Sequence, residues 1–185
     1  MFKCVIDADA ELRLLEERHV GLLFALTDGN RSHLQQWIPW IDWVKSVEES
    51  RWFIRESLKQ FAEGTGFQAG IWYKGELAGV IGLNTIDWSN MSTVIGYWLA
   101  EAFQGKGLAT RSCKALVDYA LVELGLNRVE VSCAVGNHRS RAIPERLGFK
   151  QDGILREAEL LHDRFVDHVV YSVLAREWKA RMPSP

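Results

Sequence analysis

The stretch TVIGYWLAEAFQGKGLATRSCKAL, residues 93–116, changes its hydrophobic rhythm across two glycines. Before them runs an apolar segment of strand character. After them Leu108, Cys113, Leu116, Val117, Ala120, Leu121 and Leu124 recur at three- and four-residue steps, the buried stripe of a helix. A strand therefore passes through a turn carrying Gly105 and Gly107 into a helix whose first turn presents free backbone N–H groups. Such a place can hold a phosphate or a pyrophosphate, and a plain tight turn would leave the same trace.

The rest of the chain supplies elements to pack around this unit. ELRLLEE (Glu11–Glu17) alternates like a short strand, and Arg18–Asp28 reads as a helix stopped by Gly29 and Asn30. Glu48–Glu63 is a second amphipathic helix with Trp52, Ile54, Leu58 and Phe61 on its expected inner side. FQAGIWY and ELAGVIGLNTIDW meet across Lys74-Gly75, a hairpin signature, and STVIGYWL follows the turn at Ser89-Asn90. After the glycine-fronted helix come the strand Arg128–Val135 and a short helix in SRAIPERLGF, with Pro144 expected in its first turn. FKQDGILREAELL and FVDHVVYSVLAREW read as the last two strands. Helices on a mixed sheet account for this order, an α/β fold (α+β by some schemes) in one domain over 1–185 with its core at about 10–178.

Composition narrows the function classes. A chain of 185 residues, 48% hydrophobic and 25% charged, is that of an ordinary globular domain, with disorder expected only at the RMPSP end. A formal net charge of −2 gives no general pull toward nucleic acid or anionic membrane, so neither is expected as a partner. The polar start MFKCVIDADAE is not a signal peptide, no apolar run is long enough to span a bilayer, and a cytoplasmic location is expected. Cys4, Cys113 and Cys133 are far apart and lack metal-ligand spacing; they predict a reduced compartment, no metal, and core-filling roles for Cys113 and Cys133. Trp37, Trp40, Trp43 and Trp52 crowd a segment containing Pro39 and read equally as core and as binding surface.

A dinucleotide fold would place its glycine turn after the first strand, and no G-x-x-x-x-G-K-[ST] loop is present. VGNHRS (Val135–Ser140) follows the next strand and should reach the same sheet edge, bringing Asn137 and Ser140 near the glycine turn. His138 and His33 are weaker candidates, as a surface loop residue and an acceptor-binding residue, and His162 and His168 receive no role. Arg111 and Lys114 fit the solvent face of the glycine-fronted helix, within reach of bound phosphates.

These segments resemble the GNAT superfamily of acetyl-CoA-dependent N-acetyltransferases over essentially the whole chain. The signature is Gln104-Gly105-Lys106-Gly107-Leu108-Ala109, and NHRSRAIPERLGFKQDGILRE with DHVVYSVLAREW is similar to the RimJ/RimL branch that acetylates protein N-termini. The resemblance implies a mostly antiparallel central sheet with helices on both faces and a splayed parallel strand pair. It implies that the Gln104–Ala109 amides cradle the coenzyme pyrophosphate. It implies that Tyr97, Trp98 and Leu99 offer backbone groups to the pantetheine arm and acetyl carbonyl, and that Asn137 bonds the pantetheine. Ser140 is the implied acid for the thiolate and Glu159 the implied base, with Glu157 a rival on the same face under strict alternation.

The expected reaction is acetyl transfer from acetyl-CoA to an amine acceptor, foremost the α-amine of a protein such as a ribosomal protein, with homodimerisation left open. A small polyamine or antibiotic is the alternative acceptor; Asp42, Glu48, Glu49, Asp87, Glu157 and Glu159 are carboxylates that could gather around it. A non-catalytic acetyl-CoA-binding protein is the reading from another class.

Overall fold

The computed structural model describes residues 3–181; Met182–Pro185, most of the end expected to be disordered, lie outside them, as do the first two residues. In chain order the elements are β1 (Lys3–Val5), β2 (Ala10–Leu14), α1 (Val20–Gly29), α2 (Arg31–Leu34), α3 (Val47–Glu63), β3 (Phe67–Tyr73), β4 (Glu76–Asp87) and β5 (Ser92–Leu99). Then follow α4 (Leu108–Asp118), β6 (Arg128–Ala134), α5 (His138–Arg146), β7 (Lys150–Leu161), β8 (Arg164–Leu174) and α6 (Ala175–Lys179). The eight strands form one sheet in the order β1-β2-β3-β4-β5-β6-β8-β7, antiparallel throughout except for the β5–β6 pair. No helix among the described residues is long and apolar enough to cross a membrane.

Local chemistry explains most of the punctuation. Lys74 and Gly75 both take positive φ, the two-residue turn whose twist matches a hairpin, and Tyr73 faces Glu76 across it. Ser46 and Glu49 form a capping box at the start of α3, and Gly64 ends that helix at φ +69°. The sheet buries both faces. Phe67, Ala69 and Ile71 join the α4 stripe, including Cys113 and Leu116, on one side. Trp72, Leu77 and Val80 meet Leu23 of α1 and Ile54 of α3 on the other.

The structure corrects several sequence boundaries. The strand expected over Glu11–Glu17 stops at Leu14, because Leu14 and Leu15 are both buried and a short turn over Glu17–His19 follows. The Glu16 N–H donates to His19 Nδ1 at 3.1 Å and closes that turn, so α1 begins at Val20 rather than Arg18. Trp52 and Phe61 are 66% and 37% exposed, whereas Ser50, Ile54 and Ser57 form the buried line of α3. The small serines let the helix approach the sheet, and Ser57 Oγ accepts from the Gln68 N–H at 2.8 Å. Pro144 stands inside α5 rather than in its first turn, since the helix already begins at His138. The last strand ends at Leu174, not Trp178: Leu174 N–H donates to Glu177 Oε2 and starts α6, which buries Trp178 against Phe149. β1 is a three-residue addition too short to show a period.

Candidate active site

Bonding between β5 and β6 covers Ser92–Val94 with Arg128–Glu130 and stops there. Beyond that point β5 stays paired with β4 as far as Leu99↔Gly79, and β6 stays paired with β8 as far as Ala134↔His168. The two strands therefore diverge, leaving a wedge whose edges carry the backbone of Ile95–Leu99 and Val131–Ala134. Its origin is visible in β4, where the pairing with β5 jumps from Leu83 to Thr85 opposite Ile95 and Val94. Asn84 is thus the extra residue of a β-bulge, which bends the strand at the point of divergence. Tyr97, Trp98 and Leu99 lie on the bent arm.

At the mouth of the wedge the Gln104–Ala109 turn leads into α4. Gly105 and Gly107 take φ +73° and +70°, and a Cβ built on either meets nothing within 4 Å. Both the backbone and the open space suit a bound phosphate brought close to main-chain amides. No side chain caps α4, so its first amides lack an intrahelical partner. The turn is fixed from three sides. Arg111 pairs with Asp7 at 2.6 Å and donates to the Lys106 carbonyl at 3.3 Å, so it ties the turn to the β1–β2 connection. Gln104 lies between His33, at 2.7 Å, and the Arg139 guanidinium. His33 thus braces the turn. Lys114 pairs with Asp118 on the exposed side of α4, and His138 is exposed.

Across the wedge, Asn137 caps α5 by accepting the Ser140 N–H at 3.1 Å, which leaves its amide NH2 as a donor. Ser140 Oγ lies 3.4 Å from the Tyr97 hydroxyl, and that hydroxyl donates to the Ser140 carbonyl at 3.0 Å. Burial pushes the Tyr97 phenol well above its ordinary value, so it remains a protonated donor. Cys113 and Cys133 are buried in the core, as their sequence context leads one to expect. The role of the Tyr97 phenol escaped the sequence reading because only the fold brings it to Ser140.

The carboxylates separate. The pairing of β7 with β8 jumps from Leu155↔His168 to Glu159↔Val166, so residues 156–158 bulge opposite Asp167. Glu157 sits on that bulge at φ +50°, exposed, its N–H bonded to Asp167 Oδ1 at 2.8 Å. Strict alternation through Glu157 and Glu159 therefore fails. Glu159 instead meets His168, with 3.1 Å between Oε2 and Nε2.

The tryptophan segment covers the same end of the sheet. Arg31 donates to the Ile41 and Val44 carbonyls at 2.7 and 2.6 Å, closing a short helical turn over Pro39–Trp43. Ile41 is fully buried, Trp40 and Trp43 are 43% and 79% exposed, and the Trp37 ring packs on Gly136 beyond β6. His162, at the β7–β8 tip, lies 2.7 Å from the Gln35 carbonyl and 3.3 Å from Asp42. An open cleft lined by Gln35, Gln36, Trp37, Leu161 and Arg164 lies between this segment and the hairpin.

The family model for the acetyltransferase (GNAT) domain matches residues 10–150. YdaF of Bacillus subtilis (strain 168) is 39% identical over 180 residues, covering 97% of this chain and 98% of that protein. The ribosomal-protein-serine acetyltransferase of Escherichia coli (strain K12) is 32% identical, covering 90% of this chain and 93% of that one. The structure of RimL, a ribosomal alpha-N-protein acetyltransferase in complex with coenzyme A, superposes with a TM-score of 0.91 at 31% identity, over 94% of this chain and 98% of the other. Wedge, glycine turn and sequence thus agree: the chain belongs to the GNAT superfamily of acetyl-CoA-dependent N-acetyltransferases, closely related to the RimJ/RimL ribosomal-protein acetyltransferases.

Proposed function

We propose that the acceptor of this acetyltransferase is the N-terminal α-amine of a protein, with a ribosomal protein the foremost candidate, in the cytoplasm. The observation that carries the reading is the open cleft between the Trp37 segment and the β7–β8 hairpin, beside the end of β6 that leads to Asn137 and Ser140. An extended chain end fits such a groove, whereas a small polycation needs converging carboxylates. Of the six carboxylates that could gather around one, Glu48 pairs with Arg51, Glu49 caps α3 and Asp87 accepts from Asn90, Asp42 is held by Gln35 and His162, Glu157 stands exposed on the β7 bulge, and Glu159 alone meets His168. The relatives named as acting on ribosomal proteins support the same acceptor class.

Acetyl-CoA supplies the activated acyl group, and the residues of the chain have separable tasks. The Gln104–Ala109 amides hold the pyrophosphate, the free edge of Tyr97–Leu99 receives the pantetheine and acetyl carbonyl, and the Asn137 NH2 donates to the pantetheine. Glu159 takes a proton from the incoming ammonium. That is easier for an α-amine, with a reference pKa of about 7.7–8.0, than for a lysine at about 10.4. As the N–C bond forms and the C–S bond breaks, Ser140 gives its hydroxyl proton to the departing thiolate and is reprotonated by the proton that the nitrogen sheds, through water, as it becomes the amide. Ribosomal proteins incubated with the enzyme and acetyl-CoA, then mapped by mass spectrometry, test the reading. Acetyl groups should appear on α-amines; acetylation confined to lysine side chains contradicts it.

A further inference from the structure

His168 lies at the centre of the hydrogen bonds behind Glu159. On β8 it faces Ala134 of β6 on one side and Leu155 of β7 on the other. Residues opposite one another in a ladder share a face, and the faces alternate along each strand. Ser132, two positions before Ala134, and Glu159, opposite Val166, therefore stand on the His168 face. Ser132 Oγ is 3.1 Å from His168 Nδ1, and Glu159 Oε2 is 3.1 Å from Nε2. The imidazole side chain is 17% exposed and the carboxylate 30%, so the ring is the inner member of the pair.

This arrangement assigns protons. An ionised carboxylate only accepts, so Nε2 carries the hydrogen and donates to Glu159. In the neutral ring Nδ1 then accepts from the Ser132 hydroxyl. With both nitrogens occupied, His168 has none to offer an incoming ammonium and is not itself the base. Glu159 uses one oxygen on the ring, and Oε1 has no hydrogen-bond partner among the described residues.

Glu159 needs such an anchor because of where it stands. Residues 156–158 immediately before it form the bulge, with Glu157 at positive φ, and a long side chain following irregular backbone is poorly fixed by its own strand. His168 sits on β8, laddered to β6 on one edge and β7 on the other. We infer that His168 is a positioning residue, held as the Nε2–H tautomer by Ser132, that fixes Glu159 and leaves Oε1 to receive the acceptor proton. The inference rests on Glu159 being the base.

Nitrogen-15 NMR of the histidine rings tests the geometry without an acceptor. His168 should show the Nε2–H tautomer, with an Nε2 resonance that shifts in Glu159→Gln. Turnover is measured with a peptide bearing a free N-terminal serine or with spermidine, whichever is faster. His168→Leu should lower kcat about tenfold or more while leaving KM for acetyl-CoA nearly unchanged. His168→Gln, which keeps a donor near the place of Nε2, should recover much of that loss. In the Glu159→Gln background His168→Leu should cost little more. An Nδ1–H tautomer, or wild-type kcat in His168→Leu while Glu159→Gln is impaired, overturns the inference. Full turnover by Glu159→Gln instead removes the base assignment, and this role of His168 with it.

Discussion

The Tyr97 hydroxyl donates to the Ser140 carbonyl at 3.0 Å, and that carbonyl is available because Pro144 has no N–H to offer it. In an uninterrupted helix the residue four positions on would fill the acceptor. The proline inside α5 thus opens a place for a phenol from β5, and the contact spans the wedge between the diverging strands.

Tyr97→Phe should therefore destabilise the fold by about 1–2 kcal/mol, the cost of leaving a part-buried carbonyl unpaired. Pro144→Ala supplies a backbone N–H at the right position, so the double variant should regain much of the loss. Urea titrations of the four proteins check this, and purely additive effects would show that the two residues do not share the carbonyl.

Gly107→Asp addresses the donor site. Asp enters φ near +70° more readily than most side chains but still at a strain of about 1–2 kcal/mol, so circular dichroism should keep the folded signature while the thermal midpoint falls by a few degrees. A carboxylate beside the pyrophosphate should nevertheless lower acetyl-CoA affinity by tenfold or more, on the order of 1.4 kcal/mol or above. Titration calorimetry measures it, and unchanged affinity removes the turn from the coenzyme site.

Ser140→Ala should lower kcat more than it raises KM for acetyl-CoA, since the thiolate needs its proton only as the C–S bond breaks. Stopped-flow measurements must first show that chemistry limits turnover. Wild-type kcat under that condition makes Ser140 a spectator.

Cys113 governs a stability window at high pH. Complete burial raises its thiol from an ordinary 9.0 to about 12, so above pH 9 the unfolded chain releases a proton that the folded chain keeps. The stabilisation relative to a titrating thiol is fully present below pH 9 and is lost as pH rises from there toward 12. Cys113→Ala should have lower stability at pH 8 because of the cavity, yet a shallower decline between pH 9 and 10.5. Denaturant midpoints across that range give the comparison.

Local chemistry made much of this molecule readable. The Lys74-Gly75 hairpin, the Gly64 helix end and the glycine turn before α4 depend on backbone conformations that neighbouring residues announce. The candidate site is readable where a function sits in a contiguous segment, as in Gln104–Ala109 and Asn137–Ser140. What crosses between elements is not. Tyr97 shows a strand residue, not a phenol aimed at Ser140; His168 shows a strand histidine, not the partner of Glu159 and Ser132. Trp52 misled because hydrophobicity suggested an inward side chain, whereas the close approach of α3 to the sheet required serines. The bulge before Glu159 left no signal because residues 156–158, Arg-Glu-Ala, hold no glycine, proline or other residue that announces a break.

Thiol release from acetyl-CoA, compared between a peptide with a free N-terminal serine, the same peptide blocked at that amine but carrying a lysine, and spermidine, tests the account most directly. The free peptide should be acetylated fastest, with intact-mass and fragment spectra placing a single acetyl group on its α-amine. Glu159→Gln should slow this reaction, and the deficit should narrow above about pH 8, where the α-amine is already largely neutral. Equal use of the blocked peptide, or a preference for spermidine, would contradict the α-amine acceptor.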